Sequence, residues 1–183
     1  MDLLRLRLMH REAIKRLSDA QILFEADPLG SRRADSDHLL KLLGLELLLK
    51  FLFEVEQSRQ ADKFGHNYKD IFSALQPETQ ARLILLCGER IGPSTFTAES
   101  KKILAEWGRN FVDLRYPFER YKGLSEEQYA ATSARWLQKG AKLESATFRF
   151  YPHELTGALH ALQVIANEHA HQIFGEEFIY DII

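Results

Sequence analysis

The segment WGRNFVDLRYPFERY, at positions 107–121, has the residue types needed to bind an anion. One helical stripe of this segment contains four residues at spacings of 4, 3 and 4, namely Arg109, Asp113, Tyr116 and Arg120. Arg115 adds a guanidinium group beside that stripe, and guanidinium groups bind phosphate oxygens through paired hydrogen bonds. The pattern therefore predicts an anion site, for example for the phosphate of a nucleotide.

Pro117 lies inside this segment and is expected to kink the helix, because proline lacks the amide that would reach the carbonyl of Asp113. A purely structural interpretation is also open. In that interpretation Asp113 pairs with Arg109 across one helical turn and Arg120 is solvated. The sequence alone allows either role.

His66 lies in Phe64-Gly65-His66-Asn67, directly before a segment with a helix-capping pattern. One interpretation is that the imidazole orients a phosphate at the helix N-terminus, where free backbone amides gather. The other is that it bonds a backbone group and fixes the turn.

The last helix carries His160, Glu168 and His171 along one stripe, and Glu168-x-x-His171 has the spacing used in di-iron bundles. Such sites need a second copy of the motif, which the sequence lacks, so we expect no metal and no cofactor. Cys87, in LILLCGER, is expected to be a small buried residue rather than a nucleophile.

The composition is that of an ordinary globular chain, with 183 residues, 45% hydrophobic and 27% charged. A net charge of −2 excludes a protein held on nucleic acid by overall charge alone, and one cysteine excludes an internal disulfide and a cysteine-based zinc site.

The most apolar stretch, residues 39–53, is interrupted by Lys41, Glu46 and Lys50, and Glu46 and Lys50 are spaced to pair. The amino terminus has no signal-peptide pattern. We expect a cytoplasmic protein with no membrane partner.

Caps, prolines and glycines along the chain predict one all-α domain over residues 1–183. The expected helices cover 8–25, 36–57, a short segment after Asn67, Pro77 towards Cys87, 98–121 with its kink, Ser125 to Gly140, and Pro152 to Gly175. Residues 141–151 are ambiguous, because threonine and aromatics allow an extended stretch. The class is therefore a helical bundle.

The two ends of the chain differ in charge. Residues 1–16 hold five Arg or Lys against two acids, whereas residues 168–183 hold four acids and no Arg or Lys. The ends either attract each other, or the basic end contacts phosphates through Arg5, Arg7, Arg11, Lys15 and Arg16. The apolar tail FIYDII is expected to pack on the body or on a second copy.

Three segments together resemble the HEPN domains, an all-α family: GLELLLKFLFE, FGHNYKDIFSAL and RNFVDLRY. The resemblance covers about residues 36–121. It implies a bundle that forms a homodimer in which polar residues of both copies face a shared cleft.

The ribonucleases of that family combine an arginine, a following polar residue and a histidine shortly after. Arg109 and Asn110 match the start, but the histidine position falls at Leu114, Arg115 or Tyr116, so the histidine is absent. Cleavage of RNA without a metal needs a base for the 2′-hydroxyl proton and a cation for the phosphate.

The resemblance therefore predicts a module that binds a nucleotide or RNA phosphate, working beside a partner protein. The alternative is a metal-independent endoribonuclease with a divergent active site, in which Arg109 contacts the phosphate and His66 or another histidine is the base. A bundle that only assembles with other proteins is a third reading. The candidate binding residues are Arg109, Asn110, Asp113, Arg115, Tyr116 and His66.

Overall fold

The computed structural model describes residues 2–28 and 35–175. Within these ranges the chain forms α1 Leu3–Ala26, α2 Ser36–Gln57, α3 Tyr68–Ser73, α4 Pro77–Ile91, α5 Thr95–Arg115, α6 Pro117–Arg120, α7 Glu126–Gln138 and α8 Pro152–Phe174. Two short 3₁₀ helices cover Asp62–Phe64 and Leu143–Ser145. The described ranges contain no β-strand, which confirms the all-α class. The ambiguous segment 141–151 contains a 3₁₀ turn, Leu143–Ser145, between the extended residues Lys142 and Ala146, and it forms no strand.

Local signals in the sequence set most helix ends. Pro77 and Pro152 occupy the first turns of α4 and α8, where a missing amide costs nothing. Ser125 and Gln128 form the expected capping box at the start of α7. Gly175, with φ +79°, ends α8 as predicted.

α2 is the centre of the core and is buried around most of its circumference. Seven of its large apolar residues are at most 2% exposed: Leu42, Leu45, Leu48, Leu49, Phe51, Leu52 and Phe53. α1 packs along one side of it, and α8, α3 and α5 cover others. Gly44 permits the close approach of α1, because a Cβ there would lie 2.6 Å from Leu17 Cδ2. Neither α2 nor another helix of the described chain combines the length and apolar character needed to cross a membrane.

The single kinked helix expected over 98–121 is wrong in its extent. α5 begins at Thr95 after the cap residue Ser94, bends at Glu99, whose φ of −128° and ψ of 34° are not helical, and ends at Arg115. Tyr116 leaves the helical region, with φ −134° and ψ 61°, and Pro117 starts the separate helix α6. The break occurs at the predicted proline, and besides lacking an amide, the ring of Pro117 disfavours helical geometry at the preceding residue.

The buried face of α5 anchors the region that carries the candidate residues. Ile103, Trp107 and Phe111 are buried, and Trp107 Nε1 donates to the carbonyl oxygen of Phe150 at 3.0 Å. Phe118 follows Phe111 and Leu114 at helical spacing, which predicts a continuation of this core face, but its side chain is 67% exposed. The break at Tyr116 rotates the chain, so the helical period of α5 does not extend to Phe118.

The two terminal helices contact each other. His10 Nε2 lies 2.8 Å from Asn167 Oδ1, and the Arg7 guanidinium lies 5.1 Å from the centre of the Phe174 ring. Arg5 bonds Glu54 at 2.9 Å and Asp62 at 2.6 Å, so this basic residue is paired within the fold. The tail FIYDII and its neighbouring acids lie outside the described residues.

Candidate functional site

A buried carboxylate on α2 organises the site. Glu46 is 4% exposed, and its two oxygens serve different partners. Oε1 accepts from Lys50 Nζ at 2.7 Å, which confirms the pair expected from the sequence. Oε2 lies 2.8 Å from His66 Nδ1. One carboxylate therefore holds an ammonium group and an imidazole side by side.

The turn before α3 presents His66 to this carboxylate. Gly65 takes a positive φ of +54°, and the Asn67 side chain accepts from the Asp70 amide at 3.3 Å to cap α3. Gly108 of α5 lies directly against the turn, where an added Cβ would collide with the carbonyl oxygen of His66. Packing on both sides thus fixes the backbone from which the imidazole projects.

His66 has one nitrogen bonded and one available. Because a carboxylate can only accept, Nδ1 donates to Glu46, and the neutral ring keeps its lone pair on Nε2. Nε2 has no hydrogen-bond partner within residues 2–28 and 35–175, and the side chain is 39% exposed. The expectation that His66 bonds a backbone group is wrong; its partner is a side chain.

Phe111 brings Arg115 to the same face. The Phe111 ring centre lies 4.9 Å from that of His66 and 4.5 Å from Arg115 Cζ. Arg115 Nε donates to the Phe111 carbonyl oxygen at 3.2 Å. No carboxylate of the described chain pairs with this guanidinium, so its remaining N–H groups face solvent.

Tyr68 closes the site from below. It is fully buried, and its hydroxyl donates to the Leu42 carbonyl oxygen at 3.2 Å. Burial, and then the nearby Glu46 carboxylate, raise the pKa of Tyr68 well above its usual value. Tyr68 therefore stays protonated and supports the site without acting as a base.

Two exposed aromatic rings continue this surface. Tyr116 is 52% exposed, Phe118 is 67% exposed, and their ring centres are 6.1 Å apart. The Arg115 guanidinium lies 5.8 Å from the Tyr116 ring. The break before Pro117 thus places aromatic side chains next to the free cation.

The Arg–Asn pair of the sequence makes its contacts elsewhere. Arg109 bonds Glu106, which also bonds Arg149 at 2.9 Å. Asn110 is 1% exposed, and its Nδ2 donates to the Arg149 carbonyl oxygen at 2.9 Å. These two candidates hold the 149 region against α5.

Asp113 pairs with Arg120 at 3.5 Å. The structural interpretation is therefore wrong in pairing Asp113 with Arg109, whereas Arg120 is solvent-exposed, as that interpretation expects, with a side chain that is 40% accessible. The break at Tyr116 folds α6 back so that Arg120 reaches Asp113. Of the six sequence candidates, the structure gathers His66, Arg115 and Tyr116 on one face.

Two other candidates have structural roles. Cys87 is buried as predicted, and burial, with a smaller effect of Glu154, raises the pKa of its thiol to about 11, which disfavours the thiolate. Glu168 bonds Arg82 at 2.5 and 2.6 Å. Among the residues that the structure describes, no group of three His, Cys, Asp or Glu side chains is arranged to hold a metal ion.

The face defined by Glu46, Lys50, His66, Arg115 and Tyr116 is called the His66 face below. It offers an oriented imidazole, an ammonium group and a guanidinium group, which can bind phosphate oxygens and accept a proton. Comparison of the chain with protein-family models, curated proteins and solved structures finds no match.

Proposed function

We propose that the chain is a HEPN-like module that binds the phosphate of a nucleotide or of RNA at the His66 face, and that it acts as a homodimer beside a partner protein. The observation that carries the binding site is the double contact of Glu46 with Lys50 and His66. This contact fixes two phosphate-binding groups in advance, so little side-chain freedom is lost when an anion binds.

Arg115 supplies the strongest single attraction for phosphate. Its guanidinium has no carboxylate partner among the described residues, and it is held in place by the Phe111 ring and carbonyl. A guanidinium group pre-positioned in this way can bind two phosphate oxygens at once. Tyr116 and Phe118 favour RNA as the ligand, because exposed rings beside a cation can stack on unpaired bases.

The test is binding of a fluorescently labelled single-stranded RNA, measured by anisotropy in EDTA. Arg115→Ala should weaken binding by about 1.5–3 kcal/mol, tenfold or more, because it removes a charge-assisted contact. Arg90→Ala is the matched control, since Arg90 is an exposed arginine on α4 and should leave the affinity unchanged. Equal affinities of wild type and Arg115→Ala would remove Arg115 from the site.

Metal-independent RNA cleavage is a second candidate, and the Glu46–His66 contact favours it. His66 Nε2 would take the proton of a 2′-hydroxyl, whose oxygen attacks the phosphorus while the P–O5′ bond breaks. The proton returns to the 5′-oxygen, leaving a 2′,3′-cyclic phosphate and a 5′-hydroxyl. Lys50 and Arg115 would stabilise the charge on the phosphate oxygens.

The same RNA samples, run on a denaturing gel, test this candidate. We expect cleavage that is lost in His66→Ala and with DNA of the same sequence, which lacks the 2′-hydroxyl. If the wild type binds the RNA but leaves it intact, cleavage is excluded and the proposed function is phosphate binding alone.

A further inference from the structure

α7 is a well-formed helix that the other described residues do not bury. Its capping box is complete, with the Ser125 hydroxyl accepting from the Gln128 amide at 3.2 Å and Gln128 Oε1 accepting from the Ser125 amide at 2.9 Å. None of its 13 residues is buried. Helices in proteins are stabilised mainly by packing of one face, and the exposed face of α7 has no packing partner among residues 2–28 and 35–175.

One face of α7 is apolar and exposed. It consists of side chains at helical spacing, large at the two ends and small in the middle: Tyr129, Ala130, Ser133, Ala134 and Leu137. Leu137 is 63% exposed and Tyr129 is 56% exposed, although Tyr121 covers one edge of the Tyr129 ring. Small residues in the middle of a helix face allow a second helix to approach closely.

The two ends of α7 carry opposite charges. Glu126 and Glu127 lie in the first turn, whereas Lys139 and Lys142 follow the last turn. None of the four forms an ion pair with another described residue; Glu127 only accepts from the Ser125 hydroxyl at 3.1 Å. A helix with this charge distribution is complementary to a copy of itself in the antiparallel orientation.

We propose that α7 pairs antiparallel with α7 of a second copy of this chain, about a two-fold axis at Ser133. That register places Tyr129 opposite Leu137 of the second copy. It also brings the acidic end of α7, with Glu126 and Glu127, to the level of Lys139 at the basic end of the second copy. Each apolar and charged group therefore meets its complement twice, as a two-fold interface requires.

The size of the surface sets the strength of this dimer. A helix of this length is about 20 Å long, and a single pair of such helices buries less than the 1,200–2,000 Å² of a typical stable interface. The dimer should accordingly dissociate in the micromolar range. The inference is independent of the phosphate proposal, because α7 contributes no residue to the His66 face.

Sedimentation equilibrium of the full chain between about 5 and 200 µM tests the pairing. Leu137→Asp should weaken the dimer at least tenfold, because it puts a charge against the Tyr129 ring of the second copy, and it does so twice. Leu85→Asp is the matched control: Leu85 is 60% exposed on α4, and its replacement should leave dimerisation unchanged.

Charge reversal tests whether the partner of the α7 face is a second copy of the chain in the antiparallel orientation. The variant Glu126→Lys with Glu127→Lys, and the variant Lys139→Glu with Lys142→Glu, should each dimerise more weakly than the wild type. An equimolar mixture of the two should recover the dimer, because each acidic end then meets a basic end of the other chain.

Three results would overturn the pairing: a wild-type chain that is monomeric at 200 µM, a dimer that survives Leu137→Asp, or charge variants that fail to recover on mixing. A surviving dimer would place the interface on another surface, such as the shared cleft expected for a HEPN-like module. RNA binding of Leu137→Asp is measured alongside. Wild-type affinity for RNA would show that the phosphate site is intact even if the pairing of α7 is disproved.

Discussion

Two histidines of this protein meet very different surroundings. His66 is partly exposed and bonded to a carboxylate, whereas His38 is 8% exposed with its Nε2 unbonded and its ring 4.7 Å from Phe150. Burial lowers the pKa of His38 to about 4, with a raising effect of Asp37 and a lowering effect of Lys41. His38 is therefore a neutral packing residue at pH 7, although its residue type alone would allow a functional role.

The depressed pKa of His38 predicts how stability depends on pH. In the unfolded chain, His38 binds a proton below about pH 6.5, whereas in the folded chain it stays neutral down to about pH 4. The stabilisation is thus complete above pH 6.5 and is lost as the pH falls through this window. From pH 7 to pH 5, this residue should lower the free energy of unfolding by about 2 kcal/mol.

Urea unfolding of wild type and His38→Met at both pH values measures this contribution. The variant cannot be protonated, so its loss of stability on acidification should be smaller by that amount. His160→Gln, at an exposed position on α8, is the control and should behave as the wild type does. An identical pH dependence of wild type and His38→Met would contradict the assignment.

At the scale of elements, the contact between α5 and the turn before α3 determines where His66 lies. This contact depends on Gly108, which packs against the His66 carbonyl and the Tyr68 amide. Glycine is a poor helix former, so its presence in the middle of α5 lowers helix stability. Here close packing outweighs propensity, because a side chain would displace the turn.

Two glycine-to-alanine substitutions should therefore have opposite effects. Gly108→Ala should lower stability by about 1–3 kcal/mol and weaken RNA binding, since backbone atoms of the turn must move. Gly88→Ala should raise stability by up to about 1 kcal/mol, because a Cβ there meets only Thr97 Cγ2 at 3.5 Å and improves helix propensity. Thermal unfolding and RNA anisotropy of both variants measure these effects. A stabilising effect of Gly108→Ala would show that the turn before α3 can move without a loss of folding free energy.

Helix positions followed from the sequence because their signals are local. Pro77, Pro152 and the Ser125 capping box act within one turn of the helix that they start. The pair of Glu46 and Lys50 was also local, at a spacing of four on α2. The contact of Glu46 with His66 joins residues 20 positions apart on different elements, so only the packing of α2, α3 and α5 could reveal it.

At the scale of the whole molecule, acidic residues slightly outnumber basic ones, 26 against 24. The net charge is −2, and the basic residues of α1 are largely engaged: Arg5 pairs with Glu54 and Asp62, and Arg16 pairs with Glu12. Overall charge therefore does not attract RNA. In the proposed function, the phosphate contacts come from the cations of the His66 face.

The salt dependence of RNA binding tests how many cations contact the phosphates. Two cations, Lys50 and Arg115, limit the slope of log K against log[salt] to about −1.4, since each phosphate contact on a single strand contributes about −0.7. Arg115→Ala should reduce the slope by about 0.7, whereas the control Arg90→Ala should leave it unchanged. A slope steeper than about −3.5 would require five or more phosphate contacts, more than this face can provide. It would instead indicate that other basic residues, such as those of α1, release their carboxylate partners to bind RNA.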